Sequence, residues 1–296
     1  MKKVLFATTA LVATAGVAAA DVTFGGYGRF GVLYSDPDTG SSSTNITSRL
    51  RLQIDMTAET DAGVTLGGRF RLEGEERDAR NAARPQVNGA RLFARSGGLE
   101  VGVGNIFGAI EFMPGMYTID LGLTGLGYDY TVYGTGGADA YSSGGLGSAG
   151  TNGVELIYSA GDFNFHMSAS DTNDRIAAHV SYSTGGFTFA LGAQSSDSDA
   201  DTELVAAVEG TIGAFDFGVA YADNGTGGDH VSLMGRVDVG AATNVEFYVA
   251  DADSFNDMSY GVDFNHDLGG GTSLRGGVAS LSSGELRADL GVRFNF

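Results

Sequence analysis

The chain has 296 residues, carries 36 Asp and Glu against 17 Lys and Arg for a formal charge of −19, and contains no cysteine. Acidity of this order excludes nucleic acid as a partner, since phosphate binding needs clustered Lys and Arg, and it makes small cations the natural visitors. The missing cysteine excludes a disulfide framework and thiolate chemistry, so the fold is held by noncovalent means.

At the N-terminus Lys2 and Lys3 precede an apolar run over 4–17, and Ala18-Ala19-Ala20 stands ahead of Asp21. This is the pattern of a secretory signal over 1–20 with a small-residue cleavage site. The apolar run is shorter than the roughly 20 residues a spanning helix needs. The mature chain, 21–296, is therefore expected to leave the cytoplasm. Both lysines fall in the signal, so it retains 15 Arg, no Lys and a charge of −21. Its 43% hydrophobic content would not single out a membrane protein, but a barrel with a polar interior hides its membrane character in alternation.

Five strand-like segments come first. Val22, Phe24, Phe30 and Val32 alternate with Thr23, Tyr27, Arg29 and Gly31, and Leu50, Leu52, Ile54 and Met56 alternate with Arg49, Arg51, Gln53 and Asp55. After a turn at 61–63, Val64, Leu66, Phe70 and Leu72 face one way while Arg69, Arg71 and Glu73 face the other. Period two with one apolar and one wet face marks strands. A fourth is predicted over 86–95 and a fifth over 99–105.

The alternation then stops for the 44 residues of 107–150, which carry Glu111, Asp120, Asp129 and Asp139 but no Lys, Arg or His. So long a loop inside a compact fold is functional or disordered, and its Tyr and Phe residues argue against disorder. It reads as an acidic loop folded into the lumen of a barrel, where it narrows a water-filled channel.

Eleven further strands are predicted, at 153–160, 162–170, 174–183, 187–195, 202–212, 215–223, 229–239, 244–251, 258–266, 272–280 and 285–296. Sixteen strands, an even number, put both termini on one side. Tight turns at Gly97-Gly98, Gly161, Gly185-Gly186 and Gly213-Ala214 alternate with longer connections, as periplasmic turns and outer loops do. Tyr158, Phe163, Phe165, Tyr182, Phe187, Phe189, Phe215 and Phe217 lie near tight turns with outward parity, the positions of an interfacial girdle; a soluble sandwich core would explain them only with about half as many strands. In the last strand Leu286, Ala288, Leu290, Val292, Phe294 and Phe296 face one way and Arg287, Asp289, Arg293 and Asn295 the other.

These features together, namely the signal, the sixteen segments, the long loop after the fifth and the terminus Gly291-Val292-Arg293-Phe294-Asn295-Phe296, resemble the trimeric general diffusion porins of Gram-negative bacteria, especially the alphaproteobacterial type. The resemblance covers the whole mature chain. It implies an all-β transmembrane antiparallel barrel of about 16 strands with a luminal loop, and a homotrimer embedded in outer-membrane lipid beside lipopolysaccharide. It also implies passive passage of small hydrophilic solutes and a terminal Phe296 that serves as an assembly signal. The Pro-Glu-Phe-Gly-Gly loop motif of the enterobacterial members is replaced here by Glu111-Phe112-Met113-Pro114-Gly115. Glycines 25, 26, 28 and 31 leave a flat surface on the first strand that suits a trimer contact, and the Asp21 amino group and Phe296 carboxylate are expected to close the barrel as an ion pair.

The constriction is expected to set acids on the loop, Glu111, Asp120, Asp129 and Asp139, against inward arginines of the wall: Arg29, Arg49, Arg51, Arg69, Arg71, Arg91 and Arg95. Such a transverse field orients dipolar solutes, and a narrow low-dielectric passage magnifies it. The competing role for these arginines is to pair with Glu73, Asp55 and Glu100 and glue the wall. With loop acids lining the passage, weak cation selectivity is expected. A substrate-specific, sugar-type channel is the alternative, kept open by Tyr117, Tyr128, Tyr130, Tyr133 and Tyr141.

His166, His179 and His230 have inward parity but no partner at metal-ligand spacing. Asp36 with Asp38, Asp197 with Asp199 and Asp251 with Asp253 are loop pairs read first as solvated charge and second as Ca²⁺ or lipopolysaccharide-bridging sites; no other cofactor is expected. A barrel hydrolase would need a nucleophile held beside a base, and no such elbow is present. A Ca²⁺-binding β-solenoid would need a Gly-Asp nonapeptide repeat, which is missing.

Overall fold

The computed structural model describes residues 20–77, 82–133, 138–145, 148–199 and 201–296, so the predicted signal over 1–20 lies, but for Ala20, outside the described residues. The strand pattern resolves into one closed antiparallel barrel. Strand β1 (Asp21–Asp36) pairs on one side with β2 (Ser43–Glu59) and on the other with the last strand, β17 (Leu286–Asn295). Each intervening strand pairs with its sequence neighbours. Strand β3 (Thr65–Arg77) is met by two pieces, β4 (Gln86–Val87) and β5 (Arg91–Ser96), which together make a single wall strand. The 17 segments therefore form 16 staves. Five precede the long loop, ending with β6 (Leu99–Asn105), and eleven follow, beginning with β7 (Asn152–Ala160).

The burial pattern is inside out relative to a soluble sheet. Phe24, Ile46 and Leu191 are 63%, 73% and 62% exposed on the outer face, while Arg29, Glu73 and Asp263 are 3%, 3% and 4% exposed on the inner one. Only a wall with lipid outside and a polar lumen inside accounts for this. The tight turns follow from glycine: Gly97 and Gly98, between β5 and β6, have φ of 56° and 84°, the paired positive values of a two-residue hairpin whose twist matches its strands.

The apolar core is not in the wall but between the loop and the wall. Ile110, Met113, Met116, Ile119, Leu121, Leu126, Tyr130 and Val132 of the loop pack against Ala177, Ala190, Ala207, Ala220, Ala222 and Ala250, which point inward. Small inward residues on that half leave the room the loop needs. Each loop side chain so buried contributes roughly 1.5–3 kcal/mol.

Two expectations are corrected. The predicted fourth strand is broken at 88–90, where the returning limb of the loop takes over part of the bonding: the Asn88 side-chain amide donates to the Ser142 carbonyl and the Gly89 N–H donates to the Ala149 carbonyl at 2.6 Å, while Asn88 keeps backbone contact with Arg71 of β3. The termini do not meet head to tail. Phe296 exchanges two backbone hydrogen bonds with Gly26, at 3.0 and 3.1 Å, which leaves Asp21 five residues further along β1, roughly 17 Å at strand rise.

Candidate functional site

Attachments at its root and at its far side hold the loop across the lumen. At its root, the Phe107 N–H donates to Glu155 at 3.0 Å, the Ala109 N–H to the Ser168 hydroxyl at 2.9 Å, and His179 Nδ1 donates to the Ala109 carbonyl at 2.6 Å. The Arg91 guanidinium lies 3.9 Å from the centre of the Phe107 ring. On the far side, wall carboxylates accept loop N–H groups: Glu246 from Asp120, Asp263 from Gly122, and Asp289 from Leu123 and Thr124, with the Thr124 hydroxyl adding a 2.7 Å bond to Asp289. Gly122 has φ +65°, and a Cβ there would fall 2.5 Å from Asp289 Oδ1; the turn that aims successive N–H groups at the carboxylates requires glycine. Hydrogen bonds to charged acceptors are worth about 1.5–3 kcal/mol each. Glu246, Asp263 and Asp289 were absent from the sequence-based candidates, although the inward parity of Asp289 was plain.

The loop acids do not act as one group. Asp139 is buried beneath the loop, bonded at 2.9 Å to both Arg175 and the Ser170 hydroxyl, and Asp129 accepts the Ser282 N–H at 2.8 Å. Both are anchors, which corrects their assignment to the constriction. Glu111 and Asp120 alone of the four border the open passage, a cavity of 630 Å³ lined on the loop side also by Tyr117, Tyr128 and Tyr133 and on the wall side by Tyr27, Arg49, Arg51 and Arg293.

The predicted arginines divide similarly. Arg29 reaches Glu75 at 2.8 Å and the Leu123 carbonyl at 3.1 Å, and is buried. Arg91 bridges Glu100 and Glu155 at 2.6 and 2.5 Å, Arg69 meets Asp55 at 2.5 Å, and Arg95 sits on the exposed rim 3.7 Å from Glu100. Arg71 has no carboxylate partner among the described residues; it donates to Gln53 and Ser143 at 2.8 Å and stacks 4.7 Å from Tyr141. Arg49 and Arg51 pair with Glu75 and Glu73 yet still front the passage. Gluing the wall is thus the role of Arg29, Arg69, Arg91 and Arg95, which do not line this passage.

Two arginines that sequence reasoning left out of the constriction complete it. Arg293 and Arg275 hold Asp120 at 2.8 and 3.2 Å; Arg293 has inward parity on the final strand, the signal that would have found it. Tyr27 stands between Arg51 and Arg293, 5.0 and 4.2 Å from their guanidinium carbons, with its hydroxyl bonded to Arg49 at 2.8 Å. Opposite, Tyr117 donates to Glu111 at 2.9 Å. Burial pushes the Glu111 carboxyl up to about 7, against the smaller lowering effect of that bond. Tyr130 and Tyr141 are buried, so only part of the tyrosine set fronts the passage.

His166, His179 and His230 are bonded to Glu155, the Ala109 carbonyl and the Asp129 carbonyl. Among the described residues no group of three or more His, Asp or Glu side chains is arranged to hold a metal ion. Asp199 instead accepts from the Thr226 hydroxyl at 2.7 Å, linking two connections; Asp36 ends β1, and Asp38 and Asp197 lie in loops.

Comparison with known proteins places this geometry. The profile of the Gram-negative porin family matches residues 7–285. A porin of Fuscovulum blasticum is 31% identical over 309 residues, covering 93% of this chain and 100% of the relative. One from Rhodobacter capsulatus is 30% identical over 322 residues with the same coverage. A solved triple mutant of the Rhodopseudomonas blastica porin superposes with a TM-score of 0.82 at 28% identity, covering 93% of this chain and 100% of that one.

Proposed function

Because the chain belongs to the Gram-negative porin family, whose fold is that of outer-membrane channel proteins, we propose that it is a general diffusion channel for small hydrophilic solutes and ions. One observation carries this: a loop pinned across a polar lumen leaves a 630 Å³ passage with acids on one side and guanidinium groups on the other. The arrangement orients dipolar solutes and retards apolar ones, as charges facing each other across a narrow, low-dielectric gap do.

Weak cation selectivity is part of the proposal, but its source is the acidic mouths and not the throat. Within the throat Arg275 and Arg293 together face Asp120, and Glu111 holds its proton to near neutrality. The mature chain nevertheless carries a net charge of −21 once Lys2 and Lys3 are removed, and of its described acids only Glu111 and Asp120 line the passage. The channel is read as a homotrimer in outer-membrane lipid, but the glycines expected as its contact do not make one surface: Gly31 faces Leu123 of the loop and Gly28 lies beneath the Phe294 ring. Its outer aspartates, Asp36, Asp38, Asp197 and Asp199, are read as solvated loop charge, with Ca²⁺ bridging to lipopolysaccharide as the second reading.

Single-channel conductance in planar bilayers tests the reading. Ohmic current proportional to KCl concentration and unaffected by mono- and disaccharides supports a general channel. Saturable block by sugars would replace it with the sugar-specific alternative, favoured by the exposure of Tyr117 and Tyr128 to the passage. Unheated gels and light scattering in mild detergent that both gave a monomer would remove the trimer.

A further inference from the structure

We propose that the lumen holds a second solute site, on the short-turn side of the loop, that takes a neutral aromatic ring bearing a hydroxyl or N–H donor. The site goes beyond the diffusion reading and rests on it only in needing an open channel. It is a niche of about 300 Å³ bounded by Phe107, Phe112 and Pro114 of the loop and by Ile157, His179 and Ser181 of the wall.

Its height follows from the register. Ser181 in β9 (Arg175–Thr184) pairs with Asn164, two residues beyond the tight turn at Gly161-Asp162, while His179 reaches the loop root at Ala109. The niche therefore lies between the loop and the rim that carries the short turns. It is separate from the constriction, because the chain reverses its facing between Glu111, which borders the passage, and Phe112, which borders the niche.

Three observations define the ligand. First, Phe112 is 48% exposed although it lies inside the barrel. Its inner face rests on Phe107 at 4.5 Å between ring centroids, and Phe107 is in turn covered by Arg91. The pair is thus fixed and offers one open ring face to channel water, a face that an offset or edge-on ring covers favourably. Second, no Arg, Asp or Glu lines the niche, in contrast to the passage, and His166, which does line it, is already bonded to Glu155 at 3.0 Å, so a charged solute finds no unpaired charge there. Third, two of the polar groups at the niche, on His179 and Ser181, are placed to accept from a donor, while Asn164, whose Oδ1 already takes the Ser159 hydroxyl, adds an amide N–H. His179 spends Nδ1–H on the Ala109 carbonyl, which leaves Nε2 as the acceptor of the neutral ring. Among the described residues no protein hydrogen bond engages Nε2 or the Ser181 hydroxyl, and both residues line the niche. A small cavity that is mostly apolar, with a few placed polar groups, is the form of a small-molecule site, and 300 Å³ is at the small end of that range.

Phenol, indole, anisole and cyclohexanol, each added to one side of a bilayer holding a single channel, form the test. Phenol and indole are expected to interrupt the current, more often from the short-turn side, with cyclohexanol at least fivefold weaker. Phe112→Ala is expected to lower the apparent affinity for phenol at least fivefold. Because that change also touches the loop, Ser181→Ala on the wall provides a second arm: it should narrow the preference for phenol over anisole, which lacks the donor. Equal block by phenol and cyclohexanol, or a phenol affinity unmoved by Phe112→Ala, overturns the site. A protein that opens no channel at all would instead overturn the porin reading.

Discussion

Glu111 and Asp120 both border the passage but differ in what their charges do. Asp120 is held by two arginines, so Asp120→Asn removes one negative charge and releases two positive ones. The zero-current potential in a KCl gradient is expected to move toward anion preference, and Arg293→Gln to move it the other way. No shift from Asp120→Asn would mean that the potential in the throat is set elsewhere. Glu111, with its carboxyl raised to about 7, is expected to act as a titratable charge. Below that pH it is neutral and above it is negative, so cation preference should rise as pH passes from 6 to 8. Glu111→Gln should abolish the rise. The effect should be strongest in 0.1 M salt, where the screening length is about 10 Å, and nearly absent at 1 M, where it is about 3 Å. A flat pH profile in the wild type would show the carboxyl to be ionised throughout.

The loop is an element held by others more than by itself. Gly122→Ala brings a Cβ to within 2.5 Å of Asp289 at φ +65°, and Asp289→Ala deprives the Leu123 and Thr124 N–H groups of their acceptor, at about 1–3 kcal/mol for each donor left unpaired. Both variants are expected to raise conductance and current noise as the middle of the loop lifts from the wall. Asp289→Asn, which keeps one acceptor oxygen, should do so less. Unchanged conductance in Asp289→Ala would show that the apolar cluster alone holds the loop. Much of this element was readable in the sequence: its length, its acidity and its position after five strands all stand out because period two fails there. What it touches was not readable. Parity announces that Asp289 faces inward but not that a glycine turn will meet it. The inward alanines at 177, 190, 207 and 220 look unremarkable until the loop is found lying on them. The four acids were treated as equivalent because sequence offers charge without depth, and depth is what separates buried Asp139 from Asp120.

Across the barrel as a whole, closure depends on the final rung, where Phe296 exchanges backbone bonds with Gly26. Deleting Phe296 removes that rung and the aromatic proposed as an assembly address. It is expected to lower the outer-membrane yield severely while leaving a heat-modifiable barrel obtainable by refolding in detergent. A truncated protein with wild-type yield would end the proposal of an address. The sixteen-fold alternation was readable because each stave repeats the same two-residue rule. The stagger that carries Asp21 past Phe296 was not, since register depends on the tilt and shear of the closed barrel.

The break in the wall at 88–90 has a practical consequence for anyone wishing to widen this pore. The returning limb of the loop fills that break through its described residues, with Ala149 accepting the Gly89 N–H and the Ser142 carbonyl accepting from Asn88 and Asn105. To that extent the limb is masonry and not furnishing. Excising the loop whole would leave a breach in the wall, whereas trimming only the span over 112–130 would enlarge the aperture and keep the enclosure intact.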